Sequence, residues 1–156
     1  MISYHLASEW HFKVTANRVW DAVKDVEAIP DWWRGIKRAR VKGGNKIIEK
    51  GSIIEVTVKG LLGDLNLTFE IIRIEPNKEL RFKSSGDLEG CALWTLEEEE
   101  DLTKARLIWD VTTTGRLLNF VGLFLKPLLI WNHNRAMNAG YQELKNRIES
   151  QSSYSC

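Results

Sequence analysis

Between Ile36 and Thr114 the chain alternates β-patterned runs with much shorter stretches of turn residues, and this spacing limits its architecture more than any other feature. The breaks fall at Gly43-Gly44-Asn45, Gly60 to Asp64, Pro76-Asn77-Lys78, Gly86-Asp87 and Asp101 to Thr103. Glycine, proline, asparagine and aspartate supply the backbone conformations that reverse a chain. Connections this short join antiparallel neighbours, because a parallel crossover needs about a dozen residues or more. Six runs fit the intervals, at about 37–42, 52–59, 65–75, 79–85, 88–99 and 104–114. Tyr4 to Val14 adds a seventh, with Leu6, Trp10 and Phe12 on one side and polar residues between them. One large antiparallel sheet is expected.

Parity within the runs says which faces are dry. Ile54, Val56 and Val58 share one face while Glu55, Thr57 and Lys59 share the other. In the next run Leu65, Leu67 and Phe69 have one parity and Ile72 and Ile74 the opposite one, which a flat strand cannot reconcile with a single core, so a bulge is expected near Glu70.

Helical spacing marks the two ends of the sheet. Thr15 reads as an N-cap, and Val19, Trp20, Val23 and Val26 follow it at helical intervals until Pro30, giving about three turns. Pro30 to Gly35, with Trp32 and Trp33, reads as one further helical turn. Near the C-terminus Ile130, His133 or Asn134, Met137, Tyr141, Leu144 and Ile148 recur at about 3.6 residues. Pro127 fits the first turn of that helix, since an interior proline costs about 3 kcal/mol. The helix is expected to reach about Ser150, roughly 33 Å at 1.5 Å per residue. Leu117 to Leu125 is apolar nearly all round; dense burial is the first reading, a pocket lid or a membrane-touching surface the others. It is too short and too interrupted, by Asn119, Lys126 and Pro127, for a span of about 20 residues. One domain, residues 1–150, is expected, followed by a disordered polar tail at 151–156.

Charge narrows the partners. Lys and Arg number 22 against 21 Asp and Glu, a net +1, so no long-range field gathers nucleic acid, which is not expected as a partner. The local cluster Arg34, Lys37, Arg38, Arg40, Lys42, Lys46 and Lys50 is balanced nearby only by Glu49. It reads as a solvated hairpin, offset by the acidic run from Glu97 to Asp101; contact with an anionic partner or lipid headgroup is the alternative. No transmembrane segment is expected, a transient membrane contact stays open, and oligomeric state is not legible. Two cysteines, Cys91 and Cys156, offer no disulfide framework, and the N-terminus lacks a basic start followed by an apolar stretch, so a cytoplasmic protein is expected. His5, His11 and His133 have no metal-ligand spacing, and Gly43-Gly44 leads into a strand rather than a phosphate-binding helix; no metal and no cofactor are expected.

Seven tryptophans, at 10, 20, 32, 33, 94, 109 and 131, are the compositional anomaly. Core packing is the plainer reading of each one, but together they suit an aromatic-lined cavity. Trp94 and Trp109 share parity with Ala92 and Leu96, and with Leu107 and Val111, and are expected to face inward.

One strand, two short helices, six strands and a long final helix resemble the START-like (SRPBCC) superfamily, whose helix-grip fold is an α+β architecture with a seven-stranded antiparallel sheet wrapped around the C-terminal helix. Trp20-Asp-Ala-Val-Lys-Asp-Val-Glu-Ala-Ile-Pro-Asp-Trp-Trp-Arg-Gly35 looks like the helix-to-loop segment of its polyketide cyclase/dehydrase and lipid transport branch. Gly86-Asp-Leu-Glu-Gly90 with Trp94, and Trp131-Asn-His133 with Met137 and Gly140, look like further segments of it, and the likeness spans about residues 9–148. It implies a cavity between sheet and helix. Members include lipid carriers, receptors, quinone-binding accessory proteins and aromatising cyclases, so function has to come from the site.

The leading expectation is a binding or transport module for a hydrophobic small molecule, lipid-like or polycyclic aromatic. Its candidate contacts are Trp94, Trp109, His133 and Met137, then Phe69 and Tyr141, with Trp32 and Trp33 closing the mouth. The rival is a polyketide cyclase or aromatase in which His133 or Glu70 moves protons. Neither has a visible partner, and each has a plainer reading: His133 bonded to backbone or to a neighbouring strand, Glu70 solvated on the wet face. A quinone-binding accessory role, suggested by Asp25-Val26-Glu27 near Pro30, stands third.

Overall fold

The computed structural model describes residues 3–60, 63–100, 102–114, 130 and 133–149. Alternation of polar and apolar side chains makes β1 (Ser3–Phe12) a strand with Tyr4, Leu6, Trp10 and Phe12 turned inward. The same pattern and the short turns between runs give β2 (Ile36–Val41), β3 (Ile53–Val58), β4 (Leu65–Glu75), β5 (Glu79–Gly86), β6 (Leu88–Glu99) and β7 (Leu102–Thr113). All pairings are antiparallel, in the order β1-β7-β6-β5-β4-β3-β2, so the first strand closes onto the last and the β2–β6 meander extends away from it.

The bulge in β4 comes slightly later than parity suggests. Register with β5 shifts between Ile71 and Arg73, not at Glu70. Leu67, Phe69 and Ile71 face inward; Ile72 is the extra residue and stands 44% exposed; beyond it Ile74 pairs with Leu80 and packs on the core again. Glu70 precedes the bulge, opposite Ile53 and Lys83, and lies exposed on the outer face. This is the plainer of the two readings of Glu70, a solvated side chain on the wet face, and not the alternative in which the bulge turns it into the cavity.

Three helical pieces cross from β1 to β2. α1 (Ala16–Lys24) is shorter than the three-turn reading and buries Ala16, Val19 and Trp20. It stops before Pro30, a 3-10 turn at Val26–Ala28 follows, and Pro30 sits in the first turn of α2 (Ile29–Trp32), where its missing N–H costs little. Thr15 has the extended N-cap conformation, but its hydroxyl donates to Asn17 Oδ1, and the carbonyl of Thr15 accepts the Arg18 N–H at 3.1 Å. Between β2 and β3 the two glycines turn the chain at positive φ, 92° at Gly43 and 76° at Gly44, but they open a longer loop that returns to the sheet only at Ile53.

The helix at 133–149, α3, spans about 26 Å. Met137, Gly140, Leu144 and Ile148 form its buried face. Three hydrogen bonds seat it: Trp33 Nε1 donates to the Ala136 carbonyl at 3.0 Å, Tyr141 donates its hydroxyl to the His11 carbonyl at 2.8 Å, and Glu149 accepts the Lys13 N–H at 2.8 Å. A curled sheet gripping a C-terminal helix, with two short helices after β1, is the helix-grip fold that the sequence resembles. The expectations for Leu117 to Leu125, Pro127, Trp131 and the tail fall outside the described residues. Among those that are described, no helix is long and apolar enough to cross a membrane.

Candidate functional site

Sheet curvature, α2 and α3 together leave a cavity of about 210 Å³. Inward residues of β2, β3 and β4, namely Ala39, Ile54, Val56, Leu67, Phe69 and Ile71, line one side; Met137 comes from α3, and Trp32 and Trp33 come from α2 and its C-cap. Trp94 on β6 and Trp109 on β7 complete the wall from the far side of the sheet.

The aromatic rings form two arrays. Tyr141 stacks on Trp10 at 5.6 Å, Trp10 meets Trp33 edge-on at 5.8 Å, and Trp33 stacks on Trp32 at 5.8 Å. In the second, Phe82 meets Phe69 at 4.9 Å, Phe69 meets Trp109 at 6.1 Å, and Trp109 meets His133 at 6.0 Å. Such offset and edge-on contacts hold rings in place beyond what area burial gives. Two indole N–H groups are committed to protein acceptors, Trp33 to the Ala136 carbonyl and Trp109 to the Oγ of buried Ser84 at 3.2 Å.

Among the described lining residues none is ionisable, and Ser8 carries the one hydroxyl. A charged group placed against these residues would lose its hydration without a counter-ion from them, a penalty of several kcal/mol. Among the described residues no three His, Cys, Asp or Glu side chains are grouped to hold a metal.

The candidate residues divide accordingly. Trp33, Phe69, Trp94, Trp109 and Met137 line the cavity. Tyr141 does not: it lies one ring behind, stacked on Trp10 and bonded to β1. His133 also stands behind the wall, against Trp109. Its Nε2 is buried with no hydrogen-bond partner among the described residues, and desolvation lowers its pKa from 6.5 to about 4, so the ring is neutral at pH 7. Glu70 is outside altogether. Trp10 and Phe82 line the cavity without having been singled out, although their parity with Phe12 and with Leu80 was visible in the sequence.

The family model for polyketide cyclase/dehydrase and lipid transport matches residues 4–149. Among solved structures, a Thermus thermophilus protein is similar at 16% identity and a TM-score of 0.77, covering 96% of this chain and 99% of that one. The Zhui aromatase/cyclase of a Streptomyces species is similar at 13% identity and 0.73, covering 94% and 96%. A START superfamily protein of Mycobacterium smegmatis is similar at 14% identity and 0.72, covering 94% and 98%. At such identities these likenesses bear on the fold. No curated protein sequence matches the chain.

Proposed function

The chain belongs to the polyketide cyclase/dehydrase and lipid transport family, and from that premise we propose that it binds a neutral hydrophobic small molecule in the cavity between sheet and α3. The observation that carries this reading is the wall itself, a space of about 210 Å³ faced by aromatic and aliphatic groups and by no ionisable side chain among those described. A dry apolar void of about 150 Å³ is enough to bind benzene. The larger space suits a fused two-ring system or an equivalent length of alkyl chain. Apolar area at about 25 cal/mol per Å² supplies the affinity, with Trp33, Phe69, Trp94, Trp109 and Met137 as the contacts.

Native mass spectrometry of freshly purified protein, with an organic extract of the same sample, is the first test. A stoichiometric lipid, quinone or aromatic adduct is expected. Added 1-naphthol should quench tryptophan fluorescence at one equivalent, and either 1-naphthol or a medium-chain fatty alcohol should raise Tm, with about 2.7 kcal/mol of stabilisation at a hundredfold excess over Kd. A bare mass, with no quenching and no shift from either compound, would sink the reading.

One observation favours a second reading, a cyclase-type enzyme: the buried Nε2 of His133 beside Trp109, without a hydrogen-bond partner among the described residues. A neutral imidazole can accept a proton from a substrate hydroxyl, or donate its N–H to a substrate carbonyl, that reaches past the indole. His133→Ala separates the two, abolishing turnover of a polyketide-like substrate in the enzyme reading and only shifting affinity in the carrier reading.

A further inference from the structure

The loop between β2 and β3 presents a large apolar side chain to solvent within a basic stretch of the sequence. Ile47 is 76% exposed, the highest exposure among the large exposed hydrophobics, while its neighbour Ile48 is 8% exposed and lines the cavity. Local bonds hold this arrangement. The Ile47 N–H donates to Asn45 Oδ1 at 3.1 Å, the Glu49 N–H to Ser52 Oγ at 2.9 Å, and the Gly51 N–H to the Ile71 carbonyl at 2.8 Å. Ile48 anchors the loop to the wall, and the loop holds Ile47 out.

Charge around the tip is one-sided. Of the seven basic residues between positions 34 and 50, Lys37 pairs with Asp64 at 2.8 Å and Arg34 approaches Glu143 at 3.9 Å. Arg38, Arg40, Lys42, Lys46 and Lys50 make no ion pair with any described residue, although Glu49 lies in the loop and Glu55 stands opposite Arg40 in the register. A protein of net charge +1 thus carries five cations without an ion pair to any described residue in the stretch of chain that holds Ile47, the most exposed of the described large hydrophobics.

We propose that this loop is a docking tip for anionic bilayers, with Ile47 entering the boundary between headgroups and acyl chains and Lys42, Lys46 and Lys50 lying against lipid phosphates. The pairing of an apolar point with flanking cations is what an anionic interface recognises: the first gains from burial, the second from the negative surface potential. A nucleic-acid backbone would use the cations and leave Ile47 in water. The inference does not depend on what the cavity holds, but it places the interface one residue from the cavity wall.

Co-sedimentation of the full chain with vesicles of equimolar phosphatidylglycerol and phosphatidylcholine, against phosphatidylcholine alone, tests it. Binding to the anionic vesicles only is expected, falling as salt rises. Ile47→Ser should weaken it about tenfold, and each Lys→Glu change at 42, 46 or 50 about fivefold or more, while Ile72→Ser, on the outer face of β4, should leave it unchanged. Naphthol quenching by the Ile47→Ser protein reports separately on folding and on the cavity, so a failed tip and a failed pocket give different results. Equal binding to both vesicle types, or anionic binding that Ile47→Ser does not weaken, would overturn the proposal. Stronger binding to duplex RNA than to vesicles, indifferent to Ile47, would overturn it in favour of a nucleic-acid surface.

Discussion

His133 is where a single side chain makes the burial behind Trp109 measurable. Desolvation holds its native pKa near 4, below the 6.5 of the unfolded chain. Between those values the unfolded chain carries a proton that the folded one refuses, so stability is complete above about pH 6.5 and falls as pH drops toward 4. At about pH 5 the loss from this one group is about 2 kcal/mol. His133→Leu removes that term while keeping the bulk against Trp109. Urea unfolding at about pH 7.5 and pH 5 should therefore show wild type losing about 2 kcal/mol more than the variant, with titration of the remaining groups cancelling in the difference. Equal losses would mean that the ring is hydrated in solution.

At the scale of elements, the strongest constraint is the contact between α2 and α3 through Trp33 and Gly140. A Cβ added at Gly140 would stand 2.5 Å from Trp33 Cε2 and 2.6 Å from Nε1. Helix propensity alone says that Gly140→Ala gains up to about 1 kcal/mol. The packing says otherwise, because the indole is held from behind by Trp10 and Trp32 and has its N–H on Ala136. A net loss of about 1–3 kcal/mol is expected in urea unfolding, with a changed Trp fluorescence spectrum; a stabilised variant would show that the close approach is not kept. Gly140 stood out in the sequence only as part of a resemblance, since spacing reveals a helix face but not what leans on it. The same gap explains the unequal fate of Met137, His133 and Tyr141. All three recur at helical intervals, yet only Met137 reaches the void, because sheet curvature, absent from any residue pattern, decides which part of a helix face meets space and which meets side chains. Strands were legible almost to the residue, being set by local turns and period-two parity. The position of the bulge was less legible: parity brackets the switch between Phe69 and Ile72 without saying which residue is the extra one, and Glu70, before it, keeps the outward parity of its strand.

For the molecule as a whole, the void is an energetic deficit that the rest of the core has to carry. At about 24 cal/mol per Å³, 210 Å³ of unfilled space corresponds to about 5 kcal/mol relative to a filled interior, a large share of the 5–15 kcal/mol typical of a whole domain. The chain has abundant means to close it: rings already stack around the space, and Ala39 occupies a wall position at the centre of β2. Ala39→Phe places a benzyl group into the opening and leaves Gly140 and the residues of the β2–β3 loop unchanged. If the cavity is kept for a ligand, the variant should melt about 3–6 °C higher, as expected for one to two kcal/mol in a chain of this length, and should no longer be quenched by 1-naphthol. Stability and binding then move in opposite directions, which is the signature of a site retained at the expense of the core. A variant that melts lower yet still takes up naphthol would place the binding space elsewhere. In that case Ala39 would be a packing position like its neighbour Val41, and the apolar wall would be core that has not closed.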